Sequence, residues 1–273
     1  MEKFIDLHMH STRSDGSFSP KDVVAHALSV GVSIISLTDH DSVAGVAEAT
    51  AAGDEVGIGV VPGVELSAQV GKKDVHILGY FIDPEQDDFK AYLKKFQDAR
   101  VERAEKIVEK LNKMGVRIQM AQVMAKAGGA AIGRPHIADV LVEEEAVFSA
   151  NEAFYKYLGY GKPAYQPKYT MSPAEAIEVI HASGGLASLA HPILYSQDDL
   201  IPQLAKVGLD ALEVMHIKHD AKSVKKYSQA AEQNGLLKTG GSDCHGDGRG
   251  DAVMGQVKVP VEFLEAMKDK LKK

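Results

Sequence analysis

Apolar positions recur along the chain with two periods, and the switches between them mark out the elements. "KFIDLHMH" (Lys3 to His10) reads as a first strand, and "SPKDVVAHALSVG" as a helix with Ser19 at its N-cap, Pro20 at its first position and Gly31 as its stop. "VSIISLTDH" (Val32 to His40) is a second strand, "VAGVAEATAAGDEVG" a small-residue helix, "IGVVPGVELSAQ" a third strand, and "KDVHILGYFI" (Lys73 to Ile82) its hairpin partner across a Gly71-Lys72 turn. From about Asp87 to Tyr165 the strand signals stop, and Phe89, Leu93, Phe96, Ala104, Val108 and Leu111 fall at helical spacing. Alternation returns with "SPAEAIEVIHASGG", where Ser172 and Glu175 form a capping box around Pro173. The strands "LASLAHP", "LDALEVMH" (Leu209 to His216), "LLKTGGSD" (Leu236 to Asp243) and "GQVKVP" (Gly255 to Pro260) follow. Repeated βα order predicts an α/β protein with a mainly parallel sheet, either a barrel or a doubly wound sheet, and about seven strand units favour a distorted barrel.

Composition narrows the class of protein. The 273 residues, 45% hydrophobic and 25% charged, suffice for one large domain, or one domain plus an insert. No run of about 18 apolar residues offers a membrane span, and the first strand follows the N-terminus without a signal-peptide pattern, so a cytoplasmic protein is expected. The single cysteine, Cys244, excludes an internal disulfide framework and fits a reducing compartment. A net charge of −7 argues against nonspecific coating of nucleic acid. It leaves room for a small phosphorylated substrate, because bound cations would reverse the local field.

Chemistry-bearing residues collect at the C-terminal ends of the predicted strands: His8 and His10, His40, Glu65, His191, His216, and Asp243 with His245. In parallel βα folds that end carries the active site. Residues i and i+2 of a strand share a face, so His8 and His10 can reach one ion while Met9 packs behind them. One HxH proves little, since 11 histidines in 273 positions give roughly 0.4 such pairs by chance. Recurrence at equivalent strand ends, in "TDH", "GVELS", "AHP" and "GGSDCH", points to a multinuclear metal site. Imidazole with carboxylate suits Zn, Mn or Fe.

"DLHMHSTRSDGS", "LTDHDS", "PGVELSA", "VHILGYF", "GRPHIADVLVE", "LAHP" and "GGSDCHG" together resemble the PHP (polymerase and histidinol phosphatase) domain phosphoesterases over nearly the whole chain. The likeness is to the stand-alone branch with a helical insert, similar to 3',5'-nucleoside bisphosphate phosphatases and short-RNA 5'-to-3' exonucleases. It implies a distorted seven-stranded (β/α)7 barrel from 1–86 and 166–273, with 87–165 a helical insert covering the active site. It also implies two or three divalent ions: His8, His10, Glu65 and Asp243 on a first, Asp15, His40 and His245 on a second, and Glu65 bridging to a third held by His76 and His191. Asp15, where other members of the superfamily use histidine, favours a nucleotide substrate over histidinol phosphate. Asp15, His40 and His245 are the expected catalytic group. Cations a few Å apart can activate water, orient a phosphate and neutralise the leaving oxygen, and no strained nucleophile elbow is visible, so direct hydrolysis is expected.

Outside that set, Arg134 in "GRPH" is a candidate phosphate clamp beside a helix start. Arg100 and Arg103, one helical turn apart, suit either a second phosphate or a solvated helix face. His216 and His219 are candidate substrate contacts or proton donors to the leaving oxygen. Asp6 and Asp39 stand beside ligand histidines as candidates for fixing tautomer and orientation, whereas His26, His181 and Cys244 read as packing or surface residues. The leading functional reading is removal of the 3'-phosphate from nucleoside 3',5'-bisphosphates, pAp to AMP. Its alternatives are 5'-to-3' trimming of short 5'-phosphorylated oligonucleotides, histidinol phosphatase activity, and a non-catalytic metal-stabilised module. The expected partner is a small nucleotide or short oligonucleotide, with no membrane and no stable nucleic-acid complex.

Overall fold

A computed structural model describes residues 4–71, 73–129, 131–167, 169, 171–195, 198–247 and 252–272. Lys3 and Lys72, assigned above to the first strand and the hairpin turn, lie outside the described residues. The chain divides into two compact units, Met1–Lys90 with Thr170–Lys273, and Ala91–Tyr169.

The first unit is built on one sheet. Its strands are β1 (Phe4–Met9), β2 (Val32–Leu37), β3 (Gly59–Val70), β4 (Lys73–Tyr80), β5 (Leu186–Leu189), β6 (Ala211–His216), β7 (Leu237–Gly241) and β8 (Val259–Pro260). They lie in the order β7-β6-β5-β4-β3-β2-β1-β8. β1–β2, β2–β3, β5–β6 and β6–β7 pair in parallel. β3–β4, β4–β5 and β1–β8 run antiparallel. Beyond β7 the chain turns along β1, where the Asp243 amide donates to the His8 carbonyl and the His10 amide to the Cys244 carbonyl, both at 2.8 Å. These bonds nearly close the sheet into a barrel.

The seven-stranded (β/α)7 expectation needs correcting to eight strands with mixed pairing among the described residues. Counting one helix per strand fails at β3 and β4, which form a hairpin with no helix between them. It fails again at β8, a two-residue strand that covers the free edge of β1. Covering an edge is a general requirement, because exposed strand edges invite pairing with other chains.

Local signals set the helices. α1 (Pro20–Val30) starts on Ser19, whose side chain accepts from the Asp22 amide, and ends at Gly31 in the left-handed region at φ 82°. α2 spans Val46–Val56. α7 (Pro173–Ala182) opens on the reciprocal Ser172–Glu175 box. α8 (Leu200–Lys206), α9 (Ala221–Gln233) and α10 (Val261–Leu271) complete this unit. Met9, on the outer face of β1, packs with Val23, Val24, Ile35, Ala49 and Cys244, so the cysteine is part of the core.

The second unit is helical. α3 (Asp87–Lys113) runs into it from the first unit, followed by α4 (Met120–Ala127), α5 (Arg134–Glu143), α6 (Ala150–Ala153) and a π-helical turn at Phe154–Leu158. Ile107, Leu111, Val123, Ile137, Leu141 and Leu158 are buried together at its centre. Within the described residues no helix is long and apolar enough to cross a membrane.

Barrel closure rests on a close approach at Gly241, where an added Cβ would stand 2.4 Å from the backbone nitrogen and Cβ of His8. Gly241→Ala must therefore push β1 and β7 apart, a kind of overpacking that costs about 1–3 kcal/mol. Urea unfolding is expected to show a loss of that size; an unchanged midpoint would mean that the seam yields freely.

Candidate metal centre

The strand ends that close the barrel carry the site. His8 is within β1 and His10 one residue past it, both side chains pointing inward and fully buried. His40 follows β2 and bridges to Glu65 in β3, which continues past its pairing with β2 to form the hairpin with β4. His76 is near the start of β4. Because β4 runs antiparallel, its beginning lies at the end of the barrel where the parallel strands finish. His76 faces Ser67 across the ladder, diagonal to Glu65, and its Nδ1 comes 2.8 Å from Glu65 Oε1. His191 and Asp243 each stand two residues beyond their strands, β5 and β7.

Two of these side chains are held by an uncommon backbone. His191 has φ 26° and Asp243 φ 55°, both left-handed conformations that non-glycine residues adopt rarely and at some cost. Asp41, also left-handed at φ 50°, is tied to β3: its carboxylate accepts from the Ser67 amide, and its own amide donates to the Glu65 carbonyl.

Glu65 is the hub. Its Oε1 lies 2.8 Å from His76 Nδ1 and 3.0 Å from His191 Nε2. Its Oε2 lies 2.9 Å from His40 Nδ1, 3.3 Å from His10 Nε2 and 3.6 Å from His8 Nε2. Asp243 Oδ1 stands 3.1 Å from His10 Nε2 and 3.4 Å from His8 Nε2. Asp15 Oδ1 faces His245 Nε2 at 3.3 Å and His40 Nε2 at 3.9 Å. Among the described residues, four sets of ligand atoms are close enough to share an ion: His8–His10–Asp243, His10–Asp15–His40–His245, His8–Glu65–His191 and His40–Glu65–His76. His76 and His191 fall in different sets, although both touch the same oxygen of Glu65.

The donor set fits divalent cations. His8 Nε2, His10 Nδ1, His40 Nδ1, His76 Nδ1 and Glu65 Oε2 are buried and lack hydrogen bonds of acceptable geometry, although carboxylates or rings stand close by. Buried imidazole nitrogens and carboxylate oxygens that crowd together without well-formed hydrogen bonds suit a cation and are what an ordinary buried network avoids. The electrostatics agree. Burial opposes charge on Glu65, but His40, His76 and His8 hold its carboxyl well below the ordinary range. Burial, with His245 and His40 adding to it, takes His10 down to about 4, whereas Glu65 outweighs burial and lifts His40 to about 9.

Asp39 organises the loop that delivers Asp15. Its carboxylate accepts from the Ser11 amide and hydroxyl, both at 2.7 Å, and from the Ser14 hydroxyl at 2.6 Å. Asp6 accepts from the Ser242 amide at 2.9 Å, tying β1 to the segment that holds Asp243, and burial pushes its carboxyl up to about 6. Both aspartates therefore hold backbone and hydroxyl groups, and among the described residues neither makes a hydrogen bond to an imidazole.

His216 has no exposed side-chain surface. Its Nδ1 accepts from the Lys218 amide, so Nε2 carries the proton that faces Asp243 Oδ2 at 3.4 Å. His219 donates from Nδ1 to the Val214 carbonyl and stacks near Tyr227. The three arginines belong to the helical unit. Arg134 donates to the Leu158 carbonyl at 3.0 Å with Phe154 and Tyr165 flanking its guanidinium. Arg100 reaches the Ile132 carbonyl and Arg103 the Gln166 carbonyl.

Two residues of the site escaped the sequence reading. Glu213, fully buried in β6, lies 3.0 Å from His8 Nδ1 and accepts from the His191 amide at 2.6 Å. Tyr195 places its hydroxyl 2.9 Å from His191 Nδ1 while accepting from the His76 amide at 2.9 Å. The available signal for Glu213 was a carboxylate in the middle of "ALEVMH", a strand apolar enough to be buried, where a charge demands partners.

The PHP domain pattern matches residues 6–158. A Chromobacterium violaceum protein named 3',5'-nucleoside bisphosphate phosphatase is 34% identical over 267 residues, covering 93% of this chain and 91% of that one. A Haemophilus influenzae protein named 5'-3' exoribonuclease is 36% identical over 250 residues, covering 90% and 91%. The solved structure of a Chromobacterium violaceum protein described as an amidohydrolase, with sulfate bound and no metal, superposes with a TM-score of 0.83 at 34% identity over 96% of each chain. With more than half its length matched and relatives above 30% identity along nearly all of it, the chain belongs to the PHP domain family and is a metal-dependent phosphoric ester hydrolase.

Proposed function

We propose that the protein removes the 3'-phosphate from nucleoside 3',5'-bisphosphates, and that His8, His10, Asp15, His40, Glu65, His76, His191, Asp243 and His245 hold its divalent ions. The observation that carries the substrate reading is likeness along nearly the entire chain to a protein named 3',5'-nucleoside bisphosphate phosphatase. Asp15 supports it from within the site, since it puts a carboxylate rather than a third imidazole beside His40 and His245. Divalent ions there would supply an activated water and positive charge for the phosphate in flight.

The chain's own part follows from burial. His8, His10 and Glu65 are sealed, whereas Asp15, His40, His76, Asp243 and His245 each keep about a fifth of their side-chain surface open. Phosphate enters over these partly open ligands, and Asp15, His40 and His245 are among the groups that meet it. His216, wholly buried, holds Asp243 in place from behind. Arg134 is the residue proposed to grip the second phosphate, by the paired hydrogen bonds that guanidinium makes to such groups.

A second reading has comparable support in the relative named 5'-3' exoribonuclease, at 36% identity. Trimming of short 5'-phosphorylated oligonucleotides would use the same ligands with a 3' side open to further nucleotides.

Three outcomes are expected. With Mn supplied, pAp is hydrolysed well and AMP poorly, and equal rates would remove the bisphosphate claim; a faster rate on a 5'-phosphorylated trinucleotide than on pAp would favour the exonuclease. His10→Ala should leave a folded protein by circular dichroism and lower turnover by more than the 10–100-fold typical of losing an outer partner of a metal ligand. Unchanged turnover would sink the ligand assignment. Because His40 is lifted to about 9 without metal, it is protonated at neutral pH and must shed its proton to bind. Apparent Mn affinity should therefore climb from pH 6 to 9, with protons released on metal addition in weakly buffered solution, and a flat profile would contradict this.

A further inference from the structure

We propose that Glu213 is a positioning residue that fixes the proton of His8 on Nδ1 and so leaves Nε2 bare toward the cation. The inference rests on the metal reading above and names what sets one ligand's protonation. Glu213 has no exposed surface and sits in β6 with two different donors on its two oxygens. Its Oε2 accepts from the His191 amide at 2.6 Å, a bond with only one possible direction. Its Oε1 lies 3.0 Å from His8 Nδ1. A carboxylate with both oxygens engaged can only accept, so Nδ1 must carry the hydrogen. With Nδ1 engaged by Glu213, Nε2 is the nitrogen left to a cation.

That nitrogen is where a cation is wanted. His8 Nε2 is buried without a hydrogen bond, 3.4 Å from Asp243 Oδ1 and 3.6 Å from Glu65 Oε2. The same carboxylate also steadies His191, whose backbone is held at φ 26° and ψ 60° ahead of Pro192. One buried side chain thus sets the tautomer of one candidate ligand and the backbone of another, from the side away from Glu65. Metal-bound imidazoles commonly hand their other N–H to a carboxylate, and loss of that partner weakens metal binding 10–100-fold.

Glu213→Gln separates tautomer control from plain packing. Glutamine keeps the size but has one acceptor oxygen and one NH₂. If the oxygen stays on the His191 amide, the NH₂ faces His8 Nδ1, which must then accept. The proton moves to Nε2, into the position the cation needs. Glu213→Asp retains two acceptors on a shorter stem.

The test is Zn affinity by competition with a fluorescent chelator, measured on folded wild type, Glu213→Gln and Glu213→Asp, together with imidazole nitrogen NMR of Zn-loaded wild type. The expected results are a 10–100-fold weaker Kd in Glu213→Gln, partial recovery in Glu213→Asp, and a hydrogen on His8 Nδ1 in the wild type. A Kd in Glu213→Gln within twofold of wild type, or a hydrogen on His8 Nε2 in the wild type, overturns the proposal. A purely structural Glu213 would lower resistance to urea in both variants and leave Zn affinity unchanged, which also overturns it. If Glu213→Gln does not fold, the wild-type spectrum decides. Failure of the wild type to bind Zn or Mn would instead remove the metal reading itself, so the two failures are distinguishable.

Discussion

One buried carboxylate governs the centre of the barrel unit. Glu65 is almost completely sealed and has five imidazoles within 3.6 Å of its two oxygens. A charge removed from water to that degree is costly unless the surroundings neutralise it. Five rings can do so only by sharing protons or cations, and several of their nitrogens lack hydrogen bonds of good geometry. The ring closure of the sheet, the left-handed backbone at His191 and Asp243, and the tie of Asp6 to Ser242 all serve to deliver these groups to one place.

The barrel supplies that delivery through its exceptions to simple βα order. Glu65 could not meet both His40 and His76 if β3 ended where its parallel pairing with β2 ends. By running on into a hairpin, β3 presents Glu65 between the loop after β2 and the first half of β4. The antiparallel turn also puts His76 next to Ala190 and His191, through the bond from the Ala190 amide to the His76 carbonyl. Around this set lies a ring of acceptors, Glu213, Tyr195, Asp39 and Asp41, which hold backbone amides as often as side chains. A site whose ligands come from six strands needs its loops held as firmly as its rings.

Burial separates the nine candidate ligands into a sealed group, His8, His10, Glu65 and His191, and a partly open one. The inner histidines are enclosed by the core behind β1, where Met9 and Cys244 pack on the opposite face. Asp15, His40, His76, Asp243 and His245 border open space. Asp15 owes its place to Asp39, because three donors from Ser11 and Ser14 wrap the intervening loop around that carboxylate.

Much of this was legible before any fold was known, and the reason is locality. Ser19, Gly31 and the Ser172–Glu175 box act within one helical turn, so their sequence is their mechanism. The i, i+2 spacing of His8 and His10 likewise dictates a shared face, and the repeated placement of His, Asp and Glu after apolar strands was enough to locate one end of a barrel. What the linear order left undetermined depends on residues far apart in the chain. Glu213 lies 205 positions from His8, and Asp6 binds the amide of Ser242. Which histidines share an oxygen of Glu65, which nitrogen of His8 carries a proton, and how many strands close the sheet are decided only when β1 meets β7 and β3 folds onto β4. Residue type and spacing thus determined the kind of chemistry this chain can support. Tertiary structure decided its geometry, because the pairing of buried charges and the seam of a barrel are long-range facts that no local pattern encodes.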